Sequence, residues 1–214
     1  RFNYTIMWEN GCAKGVQSVE DMMDNLMPYW MENYFTHHSY LVIDNKPVLF
    51  VWRPERVAGE VGGSENVARM FELMRAECRK KGFDGLYIIG CGGGTETSLL
   101  RRLKEETWDY SSAYGLSSKP TTPPAPDIEG IPYTDHTEWI LSQADTLRGK
   151  KEAGGVPDIV DVMCGWDPRP WHREGTTSYV GNLSVEAFRQ ACLNAREIVE
   201  NTPGNGLDKR LVVF

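Results

Sequence analysis

The sequence predicts an α/β protein of about six parallel strands alternating with helices, and three observations carry that expectation. Short apolar runs rich in branched and aromatic residues recur along the chain, as strands buried on both faces require. Between them lie stretches whose apolar residues repeat at three and four positions, the period of one helical face. Several of the apolar runs also end in an aromatic residue followed by a charged residue or an amide. Regular alternation of strand and helix implies parallel strands with right-handed crossovers, which a doubly wound open sheet and a barrel both satisfy. The barrel is favoured. Polar and aromatic groups recur at nearly every strand end, as a ring of loops following the strands arranges them, whereas an open sheet concentrates them at one switch point.

The elements follow in order. A first strand, Tyr4 to Met7, runs into Trp8-Glu9-Asn10. Ser18, with Asp21 three residues on, has the spacing of a capping box and opens a helix from Val19 to about His38. Met22, Met23, Leu26, Met27, Trp30 and Tyr34 form its apolar face, and Pro28 inside it predicts a kink or a break. The strand Val48–Trp52 leads through Arg53-Pro54 into a glycine-rich loop. Ser64 is placed to cap a helix from Glu65 to Lys81, with Val67, Met70, Phe71, Met74 and Cys78 as its inner stripe and Gly82 as its stop. Next come a strand Gly85–Gly90, a glycine turn, a helix near Glu96–Glu106 and a strand Tyr110–Tyr114. A proline-rich stretch without period, Ser117–Pro132, reads as a long loop. A helix from Asp135 to about Lys151, a strand Ile159–Met163, a helix Val185–Asn201 capped by Ser184 and a strand Arg210–Phe214 complete the series.

Composition narrows the function. At 214 residues, 41% apolar and 25% charged, the chain has the makeup of an ordinary globular protein with one sizeable core. Its net charge of −7 and its short basic runs, such as Arg79-Lys80-Lys81, argue against a nucleic-acid surface. No stretch approaches the roughly 20 apolar residues of a membrane span. The five cysteines are scattered and form no Cys-x-x-Cys pair, so neither a disulfide framework nor a zinc site is indicated, and reduced or buried thiols are expected. His37-His38 has no third ligand at metal spacing, and no metal is assigned. The chain begins at Arg1 almost within an apolar run and stops within another at Phe214. Cuts inside core strands expose unpaired edges, so residues 1–214 are expected to be one barrel domain, incomplete at both ends.

Three strand ends carry chemistry: Trp8-Glu9-Asn10, Trp52-Arg53-Pro54, and the loop Gly165-Trp166-Asp167-Pro168-Arg169-Pro170-Trp171-His172. An indole packs against the C–H face of a sugar ring, while its hydroxyls need charged and amide hydrogen-bond partners. Trp8, Asn10, Trp52, Arg53, Tyr114, Trp166, Arg169 and His172 are therefore candidate glycan contacts. Glu9 and Asp167 are the carboxylates attached directly to these aromatic loops, and they are the candidate catalytic or supporting acids. Each has a plainer alternative. Trp8 and Trp52 can cap the core, Arg53 can pair with a neighbouring loop, and Asp167 can form an Asx-turn ahead of Pro168. Gly90-Cys91-Gly92-Gly93-Gly94-Thr95 follows a strand as a phosphate-binding turn does, but it lacks both the last glycine of the dinucleotide fingerprint and the Lys-Ser/Thr of a P-loop.

Taken in order, Phe2-Asn3-Tyr4-Thr5-Ile6-Met7-Trp8-Glu9-Asn10, Tyr40-Leu41-Val42-Ile43-Asp44-Asn45-Lys46-Pro47-Val48 with Trp52-Arg53-Pro54, Gly85-Leu86-Tyr87-Ile88 and Gly165-Trp166-Asp167-Pro168-Arg169 resemble the glycoside hydrolase family 99-like, or WbsX-like, group. The likeness runs through essentially the whole chain. It implies a (β/α)8 barrel in which the strands here are the third to the eighth. It also implies an oligo- or polysaccharide substrate, α-linked and mannose-like or another bacterial polysaccharide, and calls for no cofactor. The group's acid/base motif, of the form Asn-Glu-Trp-x-Glu-Gly, would follow the eighth strand and so lie beyond Phe214. Glycosidases generally place two carboxyl groups about the scissile bond; family 99 proper is characterised by attack of the sugar's own 2-hydroxyl, with one carboxylate as base and a second carboxyl as acid. Three functions follow as expectations. The first is a glycoside hydrolase, the second a WbsX-type protein of O-antigen biosynthesis, and the third a carbohydrate-binding protein without catalysis.

Overall fold

The computed structural model describes residues 2–10, 15–92, 97–112, 125–126, 132–135, 155–162, 165, 167, 170, 179–181, 184–202, 204 and 206–209. The chain divides into two compact units, Arg1–Tyr114 with Ala153–Pro157, and Gly115–Glu152 with Asp158–Phe214.

The first unit is built on parallel strands β1 (Ile6–Glu9), β3 (Lys46–Trp52), β4 (Tyr87–Cys91) and β5 (Tyr110–Ser112), paired side by side in that order. The short strand β2 (Val42–Ile43) pairs antiparallel with the start of β3. Asp44 and Asn45, which join them, both have positive φ, as a two-residue hairpin turn matching strand twist requires. Asn45 then ties this hairpin to the turn before β4, donating from Nδ2 to the Gly82 carbonyl at 3.0 Å and to Asp84 at 3.1 Å. The first strand lies later than the sequence predicts: Trp8 and Glu9 are strand residues, and Tyr4 makes only an isolated bridge to Tyr40.

The first helix starts as expected. Ser18 Oγ accepts from the Asp21 N–H at 3.0 Å, and the Asp21 carboxylate reaches back to the Gln17 N–H at 3.1 Å. Pro28 is accommodated by a change of winding: α1 (Val19–Asp21) passes into a π-helical turn, Met22–Leu26, then α2 (Met27–Trp30), then a second π-turn, Met31–Phe35. Proline removes a helical donor and crowds the preceding carbonyls, which a wider turn relieves. The buried side chains therefore step by five at one place, Met22 to Met27, rather than by three and four throughout.

Between β3 and the next helix the expected glycine-rich loop is instead helix α3 (Pro54–Val61). Proline at the first helical position is pre-organised for a start, so Pro54 opens a helix where the sequence reading took it to end a strand. Helix α4 (Ser64–Lys80) buries Val67, Met70, Phe71, Met74 and Cys78 completely, the predicted stripe. Each such side chain contributes about 1.5–3 kcal/mol relative to exposure, as an upper estimate. Ser64, however, is not its cap. Gly63 holds that position without a side-chain bond, and Ser64 Oγ donates to Glu106 Oε1 at 2.6 Å.

Helix α5 (Thr97–Glu105) leads to β5 through a buried polar knot. Glu106 is fully buried, accepts from Trp108 Nε1 at 2.9 Å and from Ser64, and pairs with Arg102 at 3.3 Å. Trp108 packs edge-on against Phe71 at 4.8 Å. A Cβ at Gly90 would come within 3.1 Å of Pro54 and 3.3 Å of Trp108, so this glycine lets α3 and Trp108 close directly onto β4.

The second unit holds β8 (Asp158–Ile159) and a three-stranded sheet in which β6 (Ala125–Pro126) pairs antiparallel with β7 (Pro132–Asp135), and β7 pairs parallel with β9 (Tyr179–Gly181). Its helix α6 (Val185–Asn201) has the predicted bounds and cap, with Ser184 Oγ accepting from the Ala187 N–H at 3.3 Å. Two expectations are corrected here. The proline-rich loop contains strand β6 and meets β7, and Asp135 belongs to β7 rather than to the start of a helix. The remainder of that predicted helix and the strand Arg210–Phe214 lie outside the described residues.

Candidate functional site

Parallel pairing sets the C-terminal tips of the strands in register. Glu9 is the partner of Trp52, Trp52 of Cys91, and Cys91 of Ser112. Partners across parallel strands project to the same face, and strands lie about 4.8 Å apart, so these four residues form a row roughly 14 Å long on one face. One row earlier, Trp8, Val51, Gly90 and Ser111 project to the opposite face, which is covered by helices. Trp8 accordingly lies in the core, 7% exposed, with its ring 6.0 Å from that of Trp30. Trp52 is half-buried and Glu9 exposed.

Arg53 turns the chain from β3 into α3, and it does so in the left-handed region, with φ 55° and ψ 60°. For a non-glycine residue directly before proline that conformation costs on the order of 1–3 kcal/mol. It is pinned by the Arg53 N–H to the Cys91 carbonyl at 3.0 Å and by the Arg56 N–H to the Arg53 carbonyl at 3.0 Å. The guanidinium lies 5.6 Å from the Trp52 ring centroid and donates from Nε to Glu55 Oε1 at 2.9 Å. Arg102 Nη2 in turn donates to the Glu55 carbonyl at 3.2 Å. A chain of contacts thus runs from the buried Glu106 through Arg102 and Glu55 to Arg53 and the Trp52 indole. Just past the end of β1, Asn10 is buried, and neither amide atom has a hydrogen-bond partner among the described residues. Glu60, also on α3, lies against Gly15, where a Cβ would come within 2.9 Å of its Oε2. Burial pushes the Glu60 carboxyl above its usual value, although Arg56 opposes the shift.

Of the residues singled out from sequence, Glu9, Trp52, Arg53 and Asn10 lie at this strand-end edge, and Trp8 projects to the other face. Asp167 is exposed and belongs to the second unit. Tyr114, Trp166, Arg169 and His172 lie outside the described residues, as do Gly93–Glu96 of the glycine turn. Sequence reasoning read Cys91 only as part of the glycine turn and passed over Ser112, whose places depend on register, and Glu55, for which Pro54-Glu55 was a legible helix-start signal. It also passed over Asp158 and Asp161 in the second unit, two buried carboxylates, each with polar interactions of its own. Among the described residues no group of His, Cys, Asp and Glu could hold a metal ion, and no helix is long and apolar enough to cross a membrane.

The family described as Glycosyltransferase WbsX matches residues 13–213. The chain belongs to that WbsX family. No curated protein matches the sequence. Among solved structures, this WbsX-family chain is similar to a family 99 endo-α-mannosidase from Bacteroides thetaiotaomicron in complex with bis-tris-propane, at 14% identity and a TM-score of 0.56, with 91% of this chain and 52% of that one covered. A further structure of the family 99 endo-α-mannosidase from the same organism matches at 17% identity and a TM-score of 0.56, over 91% of this chain and 50% of that one. The chain therefore spans about half the length of the solved structures it resembles. At these identities the likeness shows the fold, an α/β arrangement of parallel strands and helices of the barrel type.

Proposed function

We propose that this chain is part of a single barrel domain that binds an oligo- or polysaccharide along the C-terminal edge of its parallel strands, and that the protein is a glycoside hydrolase acting on α-linked mannose-like or bacterial polysaccharide. The observation that carries this reading is the register of Glu9 and Trp52, which puts a carboxylate and an indole side by side next to Arg53, with the buried Cys91 and Ser112 continuing the row. Chemistry collects at this end of the strands in barrels of this type. Trp52 offers a flat apolar face to a sugar ring, and Arg53 and Glu9 offer a donor and an acceptor for its hydroxyls. Glu9 serves as a binding or supporting acid. Asp167, with Trp166, Arg169, His172 and Tyr114, is proposed from sequence to contribute further contacts.

The family's description favours a second reading, in which the same edge holds an acceptor glycan during polysaccharide assembly. The two separate in one assay. Incubation with α-linked manno-oligosaccharide or bacterial polysaccharide should release new reducing ends if the protein hydrolyses. Release of nucleoside diphosphate from a sugar nucleotide, dependent on an acceptor glycan, would favour transfer instead. Binding of glycan without either product would leave a carbohydrate-binding protein.

A further inference from the structure

We infer that Glu55 is a specificity-determining residue: by answering the charge of Arg53 it makes the Trp52 edge select neutral glycan and reject acidic glycan. This rests on the glycan-binding reading of that edge.

An arginine stacked beside an indole at a binding edge would ordinarily attract carboxylate or phosphate, because its planar fork matches both. Here the positive charge is already answered at Nε. Glu55 Oε1 accepts from Arg53 Nε at 2.9 Å, with about a third of each side chain exposed. Among the described residues the other Glu55 oxygen is buried without a hydrogen-bond partner, so the side-chain bonding seen for this carboxylate goes to Arg53. The backbone on either side of the pair is held in place. Glu55 sits in the first turn of α3 with its carbonyl bonded to Arg102, itself paired with the buried Glu106. The Arg53 backbone is held in the left-handed region by its bond to the Cys91 carbonyl ahead of Pro54. The guanidinium still has its Nη donors for sugar hydroxyls, while the pair as a whole carries no net charge. The chain's net charge of −7 opposes anionic polymers at longer range.

Two bonded opposite charges at one edge turn specificity into a difference that a single substitution reverses. Glu55→Gln keeps an amide oxygen to accept from Arg53 Nε and removes only the charge. The wild-type protein, the Glu55→Gln variant and the Arg53→Gln/Glu55→Gln double variant are titrated at low salt with two probes, a neutral α-linked manno-oligosaccharide and an oligogalacturonate of similar length. Circular dichroism checks that each is folded. The expected result is a wild-type preference for the neutral probe, and a Glu55→Gln variant whose affinity for the acidic probe relative to the neutral one rises about tenfold, with the gain lost at high salt. The double variant should lose that gain. A Glu55→Gln variant with an unchanged ratio overturns this inference alone, and so does a gain that persists in the double variant, which would report general charge rather than a freed Arg53. A wild-type protein that binds neither probe overturns the glycan reading of the edge together with the inference built on it.

Discussion

Trp8 and Trp52 stand one row apart on neighbouring parallel strands, and the single-row offset sends them to opposite faces. Trp8 joins Val51 and Trp30 under the helices, where its whole ring is desolvated. Trp52 ends its strand on the other face, half-buried, with a guanidinium over its ring. In sequence the two look alike, since each is an indole followed by a charged residue at the end of an apolar run. The difference teaches that an aromatic at a strand end becomes a candidate contact only through its parity in the register, and a slip of one residue would exchange the two roles.

The largest effect expected from breaking this contrast is on stability. Trp8→Ala should cost about 3–5 kcal/mol, as removal of a buried aromatic does, whereas Trp52→Ala should cost about 1 kcal/mol, the centre of the range for single substitutions. Urea denaturation of both variants checks this, and equal losses would mean that Trp52 is as much a core residue as Trp8. A smaller effect concerns the caps that frame the helices. Ser18→Ala and Ser184→Ala should each lower stability by about 1 kcal/mol through a lost N-terminal acceptor, seen as matching shifts of the denaturation midpoint without a change of slope. The smallest effect is a pH dependence. Burial raises the Glu60 carboxyl above its ordinary 4.5, so between that value and the folded one the folded protein holds more proton than the unfolded chain. Stability contributed there falls as pH rises through the window. Glu60→Gln should flatten that decline, which midpoints measured from pH 4.5 to neutrality would show; a variant that keeps the full slope assigns it to another group.

The helical stripes were the most legible part of the fold. All five inner residues of α4 and the bounds and cap of α6 follow from apolar period and N-terminal chemistry alone, because both act within a few residues of sequence. What depends on distant partners was hidden. Ser64 resembles Ser18 and Ser184 as a cap, yet a buried carboxylate at Glu106, forty-two positions on, takes its hydroxyl. Helix α3 was concealed by reading Pro54 as a terminator when its position makes it an initiator. The π-turns either side of Pro28 could not be read, since the five-residue step is a response to the missing donor rather than a pattern in the residues. At the edge itself, Trp52, Arg53 and Glu9 were visible as residue types. Cys91 and Ser112 beside them were not, because only strand register brings them into the row.

The central claim is that the face carrying Trp52, and not the face carrying Trp8, holds sugar. Titration of wild-type and Trp52→Ala protein with α-linked manno-oligosaccharide by calorimetry tests it most directly, with circular dichroism showing that the variant keeps its fold. The account predicts that Trp52→Ala loses roughly tenfold or more in affinity, as removal of a central aromatic contact does. A folded Trp52→Ala protein that binds the oligosaccharide as tightly as the wild type would contradict it.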